Sequence, residues 1–242
     1  SRLMEDAFIA HLFIGSTHDY VLFVSSDGKA YYLKVHEIPE GSRYAKGTHV
    51  RSLLQISPDE EITAVVSLNE FSEDTHIFMA TRHGVVKKVT TSQFSNARTR
   101  GIIALKLDDG DHLCDALLTS GSDELFIVTR RGRGLRFSED AVRAMGRASR
   151  GVRGISLGKG DELAGAMRLV EGEDTLMITE YGYGKRTEYE EFHPHGRGTR
   201  GQIAYGTNER TGELVALRSV APETDIVVIT SQGQTIKMNV KG

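Results

Sequence analysis

Three different sequence markers recur in fixed order with a shared period of about 50 residues, and this restricts the chain to repeat architectures. The first marker is a strand opened by an acidic turn: EDAFIAHLFI from Glu5, DEEITAVVSL from Asp59, GDHLCDALLT from Gly110, GDELAGAMRL from Gly160 and GELVALRSV from Gly212. Its matching apolar residues Ile62, Leu113, Leu163 and Leu214 are 51, 50 and 51 residues apart. The second is an apolar strand that runs into a glycine turn and a basic strand, with turn glycines Gly28, Gly84, Gly132, Gly182 and Gly233. The third is a basic residue followed by glycine and a short apolar run, with Gly47, Gly101, Gly151 and Gly201 spaced by 54, 50 and 50.

Side-chain period and turn chemistry define each unit. Segments such as YVLFVS and LMIT are short, apolar, and rich in β-branched or aromatic residues, and they stop at a glycine that tolerates the left-handed backbone of a tight hairpin. In the strand after the turn, Val85, Lys87 and Val89 alternate with Val86 and Lys88, which predicts an outer strand bearing charge to solvent. No window has a long apolar series at helical spacing, and EDAVRAM is the longest stretch expected to turn helically. The fold class is therefore all-β. Small antiparallel sheets of about 50 residues close most economically as propeller-like blades around an axis, with an open superhelical stack of the same blades as the alternative. The sequence begins and ends inside the repeat pattern, so a fragment of a longer chain is expected.

Composition excludes several classes. The 39% hydrophobic and 26% charged residues of the 242-residue chain suit a water-soluble globular protein, and no segment reaches the roughly 20 apolar residues of a membrane span. Glu5 and Asp6 interrupt any signal-peptide core, so a cytoplasmic location is expected. Cys114, the single cysteine, is expected to be a small core residue. The histidines, including His193 and His195, join no metal-ligand spacing, and GYGKRTE lacks the full phosphate-loop pattern. No catalytic group, metal or cofactor is expected.

Charge distribution points elsewhere. The net charge is −3, yet residues 130 to 153 contain eight arginines against only Glu139 and Asp140. A phosphate responds to the local field, not to the total. The basic-Gly segments supply Arg43 and Lys46, Arg98 and Arg100, Arg147, Arg150 and Arg153, then Arg197 and Arg200. Guanidinium forks match phosphate oxygens, and an adjacent glycine lets backbone approach a ligand. Carried on successive blades, these groups predict a curved track for a bent duplex held by its phosphates. A second set lies at the hairpins: Lys87 and Lys88; Arg130, Arg131, Arg133 and Arg136; Lys185 and Arg186. Rim exposure is predicted for these, either extending the track or pairing with acids of neighbouring turns.

The stretches STHDYVLFVSSDGKAYYLKVHEIPEGSRYAKG, FMATRHGVVKKV, FSNARTRGIIALKLDDGD, VRAMGRASRGVRGISLGKGDEL and YGYGKRTEYEEF cover nearly the whole chain in order. In them the chain resembles the C-terminal domain of bacterial DNA gyrase A, and more distantly that of topoisomerase IV. The resemblance implies a single β-pinwheel domain over residues 1–242, with four-stranded blades that exchange strands, lacking the first-blade segment and the final closing strands. It implies non-catalytic binding, bending and wrapping of double-stranded DNA in support of ATP-driven negative supercoiling. The implied partners are DNA, the remainder of gyrase A, and gyrase B. The family's QRRGG wrapping motif is absent from this sequence, and GRASRGVRG and GRGTRG are look-alikes at blade loops. The rival readings are a protein-interaction scaffold and a topoisomerase IV domain used for substrate selection.

Overall fold

The computed structural model of the chain describes residues 18–38, 48–221, 226–229 and 235–238. Each of the four larger sheets is organised around a hairpin whose first strand has a continuous apolar middle. In β1 (Tyr20–Ser25), β4 (His76–Thr81), β8 (Glu124–Thr129) and β12 (Asp174–Thr179), every residue after the first is buried. Strands covered on both faces need such continuous runs. Their partners are β2 (Lys29–Lys34), β5 (Val85–Thr90), β9 (Arg133–Ser138) and β13 (Gly184–Thr187).

Two further strands complete each of the first three sheets and one completes the fourth, all from the next repeat. The acidic-turn strands β3 (Ile62–Leu68), β7 (Leu113–Thr119), β11 (Leu163–Leu169) and β15 (Leu214–Val220) flank the preceding hairpin on one side. The two-residue strands β6 (Ile102–Ile103), β10 (Val152–Arg153) and β14 (Gln202–Ile203) follow the basic-Gly segments and flank it on the other. The orders are β3-β1-β2-β6, β7-β4-β5-β10, β11-β8-β9-β14 and β15-β12-β13, and β16 (Ile226–Ile229) pairs with β17 (Thr235–Met238). The antiparallel blades and strand exchange expected from the resemblance are thus present. Contacts cluster into two compact units, one formed by 1–81, 86–121 and 142–152, the other by 82–85, 122–141 and 153–242.

The period-50 markers acquire structural causes. The hairpin glycines Gly28, Gly84, Gly132 and Gly182 have φ of 81°, 86°, 94° and 90°. The acids of the acidic turn cap backbone N–H groups: Asp161 accepts from Arg131 (3.1 Å) and Glu162 (2.9 Å). A β-bulge recurs near the start of each acidic-turn strand, between Val24/Ser25, Ala80/Thr81, Leu163/Gly165 and Ile178/Thr179 in the four registers. Cys114 is the extra residue of the second bulge, which turns it partly out of the core, so the expectation of full burial is corrected to half-buried.

Helical content is small. EDAVRAM supplies a single 3-10 turn at Glu139–Ala141, and a short α-helix, α1 (Thr48–Leu53), was not expected from the apolar pattern. In the first unit Leu22, Val24, Ile77, Met79, Phe94 and Leu105 share one core. In the second, Phe126 and Phe192 pack with ring centroids 4.2 Å apart.

The first sheet also buries a carboxylate. Glu60, 1% exposed, accepts hydrogen bonds from Ser25 Oγ (2.6 Å), Ser57 N (3.2 Å) and the Tyr31 hydroxyl (2.8 and 3.0 Å). Burial, reinforced by the bond to Glu60 and its charge, pushes the Tyr31 phenol above its usual range, so it remains a donor. Tyr31→Phe leaves Glu60 its other two donors, and an equilibrium denaturation series should show a loss of about 1–2 kcal/mol.

Candidate nucleic-acid interface

The basic-Gly segments form equivalent loops at 96–101, 146–151 and 196–201. A hydroxyl closes two of them in the same way: Ser149 Oγ donates to Gly146 O (2.8 Å) and Thr199 Oγ1 to Gly196 O (2.9 Å). Gly101, Gly151 and Gly201 then take φ of 81°, 89° and 68°, turning the chain into the exchanged strand. The residues immediately before these glycines, Arg100, Arg150 and Arg200, are all exposed.

The sequence-predicted cations divide into three groups. Arg98, Arg100, Arg133, Arg153, Lys185 and Arg200 are exposed, and among the described residues their side chains make no hydrogen bond or ion pair. Arg150 stands close to this group, because its 3.3 Å pair with Asp108 is between groups 65% and 52% exposed and is easily exchanged for another anion. Arg43 and Lys46 lie outside the described residues.

The second group is engaged with the protein itself. Arg147 Nη1 donates to Ile103 O (2.8 Å), and Arg197 donates to Arg153 O (2.6 Å) and Ala141 O (3.0 Å). One arginine therefore ties each of the last two loops to the exchanged strand one repeat earlier. Arg130 pairs with Glu213 (2.6 Å), Arg186 with Asp174 (3.3 Å), and Arg131 donates to Lys159 O (2.7 Å). Arg136 is bonded to Glu124 (3.0 Å), Phe192 O (3.0 Å) and Tyr189 Oη (2.6 Å), with its guanidinium 4.3 Å from the Tyr189 ring centre. Arg136→Ala should lower unfolding free energy by about 2–3 kcal/mol, since three bonds and a cation–π contact disappear together, while duplex affinity changes little.

Lys87 and Lys88 correct the expectation of rim exposure: they are 0% and 6% exposed. The alternation in VVKKV suggested an outer strand, but four residues of β5 are buried, and the carbonyls of Ala104, Arg147 and Ser149 close over Lys87. Strand exchange is a non-local event that period-2 reading cannot register. Three exposed residues beside the free cations were not assigned from sequence. Arg143 lies within the arginine-rich run, and Ile103 and Ile203, 52% and 69% exposed, occupy the strand position that Arg153 holds between them. Alignment of the repeats would have revealed that shared register. The described residues contain no group of three His, Cys, Asp or Glu side chains that could hold a metal, and no helix long and apolar enough to cross a membrane.

Hairpin blades that exchange strands at a 50-residue period, with arginine loops at each exchange, define a protein of the repeated-blade, β-propeller class. The sequence pattern of the family described as "DNA gyrase C-terminal domain, beta-propeller" matches residues 19–69, 75–120, 123–169 and 173–221, one match per blade, and the chain belongs to that family. It is 60% identical over 240 residues to DNA gyrase A of Treponema pallidum, a match covering 99% of this chain and 30% of that protein. The corresponding protein of Clostridium acetobutylicum is 44% identical over 236 residues, or 98% of this chain and 28% of its own. The chain thus spans less than a third of the length of these relatives. Among solved structures, the C-terminal domain of DNA topoisomerase IV is similar with a TM-score of 0.81 at 26% identity, covering 93% of this chain and 70% of its own. The DNA gyrase A C-terminal domain gives 0.81 at 23% identity, covering 93% and 74%, a likeness of fold.

Proposed function

We propose that this chain binds and bends duplex DNA without catalysing any reaction, holding phosphates at Arg98, Arg100, Arg133, Arg150, Arg153, Lys185 and Arg200. The observation that carries the reading is the recurrence of an exposed arginine before glycine at positions 100, 150 and 200. Three like groups on equivalent loops suit a partner whose charge repeats along its length. Their guanidiniums offer phosphate-matching forks, and the described residues around them present no convergent base-reading set, so contacts to the DNA backbone should dominate. Arg147 and Arg197 serve by fixing the loops, and Arg136, Lys87 and Lys88 serve the fold.

Membership in the gyrase family supports the wider role: wrapping of a DNA segment for negative supercoiling by a type II topoisomerase, together with the remainder of gyrase A and with gyrase B, in the cytoplasm. The 60% identity to a gyrase protein favours this over a topoisomerase IV role. Duplex binding measured over a salt series tests the core of the reading. Each phosphate contact contributes a slope of about −0.9 in log affinity against log salt, so a slope near −4 to −6 is expected, with little preference among sequences. Binding that ignores salt would refute the phosphate track and favour the scaffold reading.

A further inference from the structure

Lys87 sits on β5 with its side chain wholly enclosed, and its ammonium donates to three backbone carbonyls: Ala104 (2.9 Å), Arg147, and Ser149 (3.0 Å). Three donors meet three acceptors, and no carboxylate faces it among the described residues. Two of the carbonyls belong to the 146–151 loop, which carries Arg150. We propose that Lys87 is a positioning residue for this loop, a buried clamp that sets its DNA-binding shape. The proposal rests on the DNA-binding reading above.

The molecule contains its own comparison. Lys87 pairs with Met79 in β5, and the corresponding pair in β9 is Leu135 with Ile127. The 196–201 loop therefore has no lysine beneath it. Both loops otherwise share their anchors: Lys106 N–H donates to Ser149 O (3.1 Å), and Ser156 N–H donates to Thr199 O (2.9 Å). Arg197, which never loses its charge, ties the second loop to Arg153 O and Ala141 O. One loop depends on a titratable cation and its counterpart does not.

The charged group facing Lys87 from the loop is Arg147; β4 presents Met79 across the strand, and the segment after β6 presents the Ala104 carbonyl. Burial, followed by the Arg147 charge, lowers the Lys87 pKa from 10.5 to about 8. At neutral pH the ammonium serves all three carbonyls. Both causes come in part from the closed loop, so opening it raises the pKa again and loss of the proton favours the closed loop. The effect on global stability has the same sign. Because the folded pKa lies below the unfolded one, the unfolded chain binds more protons from pH 8 to 10.5, and this group's contribution to stability rises over that range.

The test combines two readouts. Lys87→Leu, the residue its counterpart β9 uses, should lower duplex affinity about three- to tenfold at neutral pH and constant ionic strength. Amide exchange supplies a readout on the native chain that needs no DNA: because opening the loop restores the lysine's proton, protection at Lys106 should rise relative to Ser156 between about pH 7 and about pH 9.5. An unchanged ratio of protection at the two amides across the range would overturn the clamp, even if DNA binds well and even if Lys87→Leu fails to fold. A rise at Lys106 with no DNA binding would instead fell the DNA reading, and with it the role given to the clamp.

Discussion

Replacing Arg100, Arg150, Arg153 and Arg200 together by glutamate is expected to weaken duplex binding by at least about a hundredfold at moderate salt and to lower the salt slope by about 3 to 4. All four are exposed, so the substitutions leave the core untouched, and far-ultraviolet circular dichroism and thermal midpoint should stay near native. Arg150 loses only an exposed pair with Asp108. Arg147 and Arg197 are left in place deliberately, because their guanidiniums hold the Ile103 and Arg153 carbonyls and their loss would unseat the loops rather than test them. Fluorescence anisotropy over a salt series reads both quantities. An unchanged slope in the folded variant would remove these loops from the interface and shift weight to a protein partner.

The same division explains what the sequence revealed of the site. The basic-Gly motif located every loop, because a glycine of positive φ and a neighbouring cation are both local features. Whether a given cation is free or engaged depends on what the exchanged strands bring to it. Arg147 and Arg150 are three residues apart in one run of arginines, yet one reaches Ile103 O and the other faces solvent. Lys87 and Arg133 both follow hairpin glycines, yet Lys87, the third residue after its glycine, is enclosed beneath the 146–151 loop, and Arg133, the first after its own, is exposed. These outcomes are set by contacts between residues 44 to 62 apart in the chain, for which composition and alternation carry no signal.

The fold was more legible because its repetition multiplies weak signals. A lone Asp-Gly or Arg-Gly predicts a turn and nothing further; the same turn at 50-residue intervals, between two other markers, predicts blades. The bulge that displaces Cys114 was hidden, since an extra residue shifts register without altering the apolar run that contains it. The short helix at Thr48–Leu53 was missed for want of length, as two turns cannot establish a helical period.

Substituting the hairpin glycines should have the largest effect on stability, in an order that the structure sets. A Cβ on Gly132 would lie 1.9 Å from Tyr205 O, on Gly28 2.6 Å from Leu105 O, and on Gly84 3.0 Å from Ile155 O. In each case the obstacle is the chain just beyond an exchanged strand, and the glycine is also its anchor. Gly132 O accepts from Ala204 N (2.8 Å) and Tyr205 N (3.1 Å), Gly28 O from Ala104 N (2.8 Å) and Leu105 N (3.2 Å), and Gly84 O from Gly154 N (2.7 Å) and Ile155 N (3.3 Å). A side chain at any of them strains a left-handed residue and separates backbone from backbone, where no flexible group can yield. Gly132→Ala should cost more than about 3 kcal/mol, Gly28→Ala somewhat less and Gly84→Ala least, while Gly158→Ala, with open space around it, stays within about 0.5 kcal/mol of native. Chemical denaturation midpoints check the order. If Gly132→Ala behaved like Gly158→Ala, the exchanged strand would not be docked on its blade, and the arginine loop that precedes it would lose its structural basis.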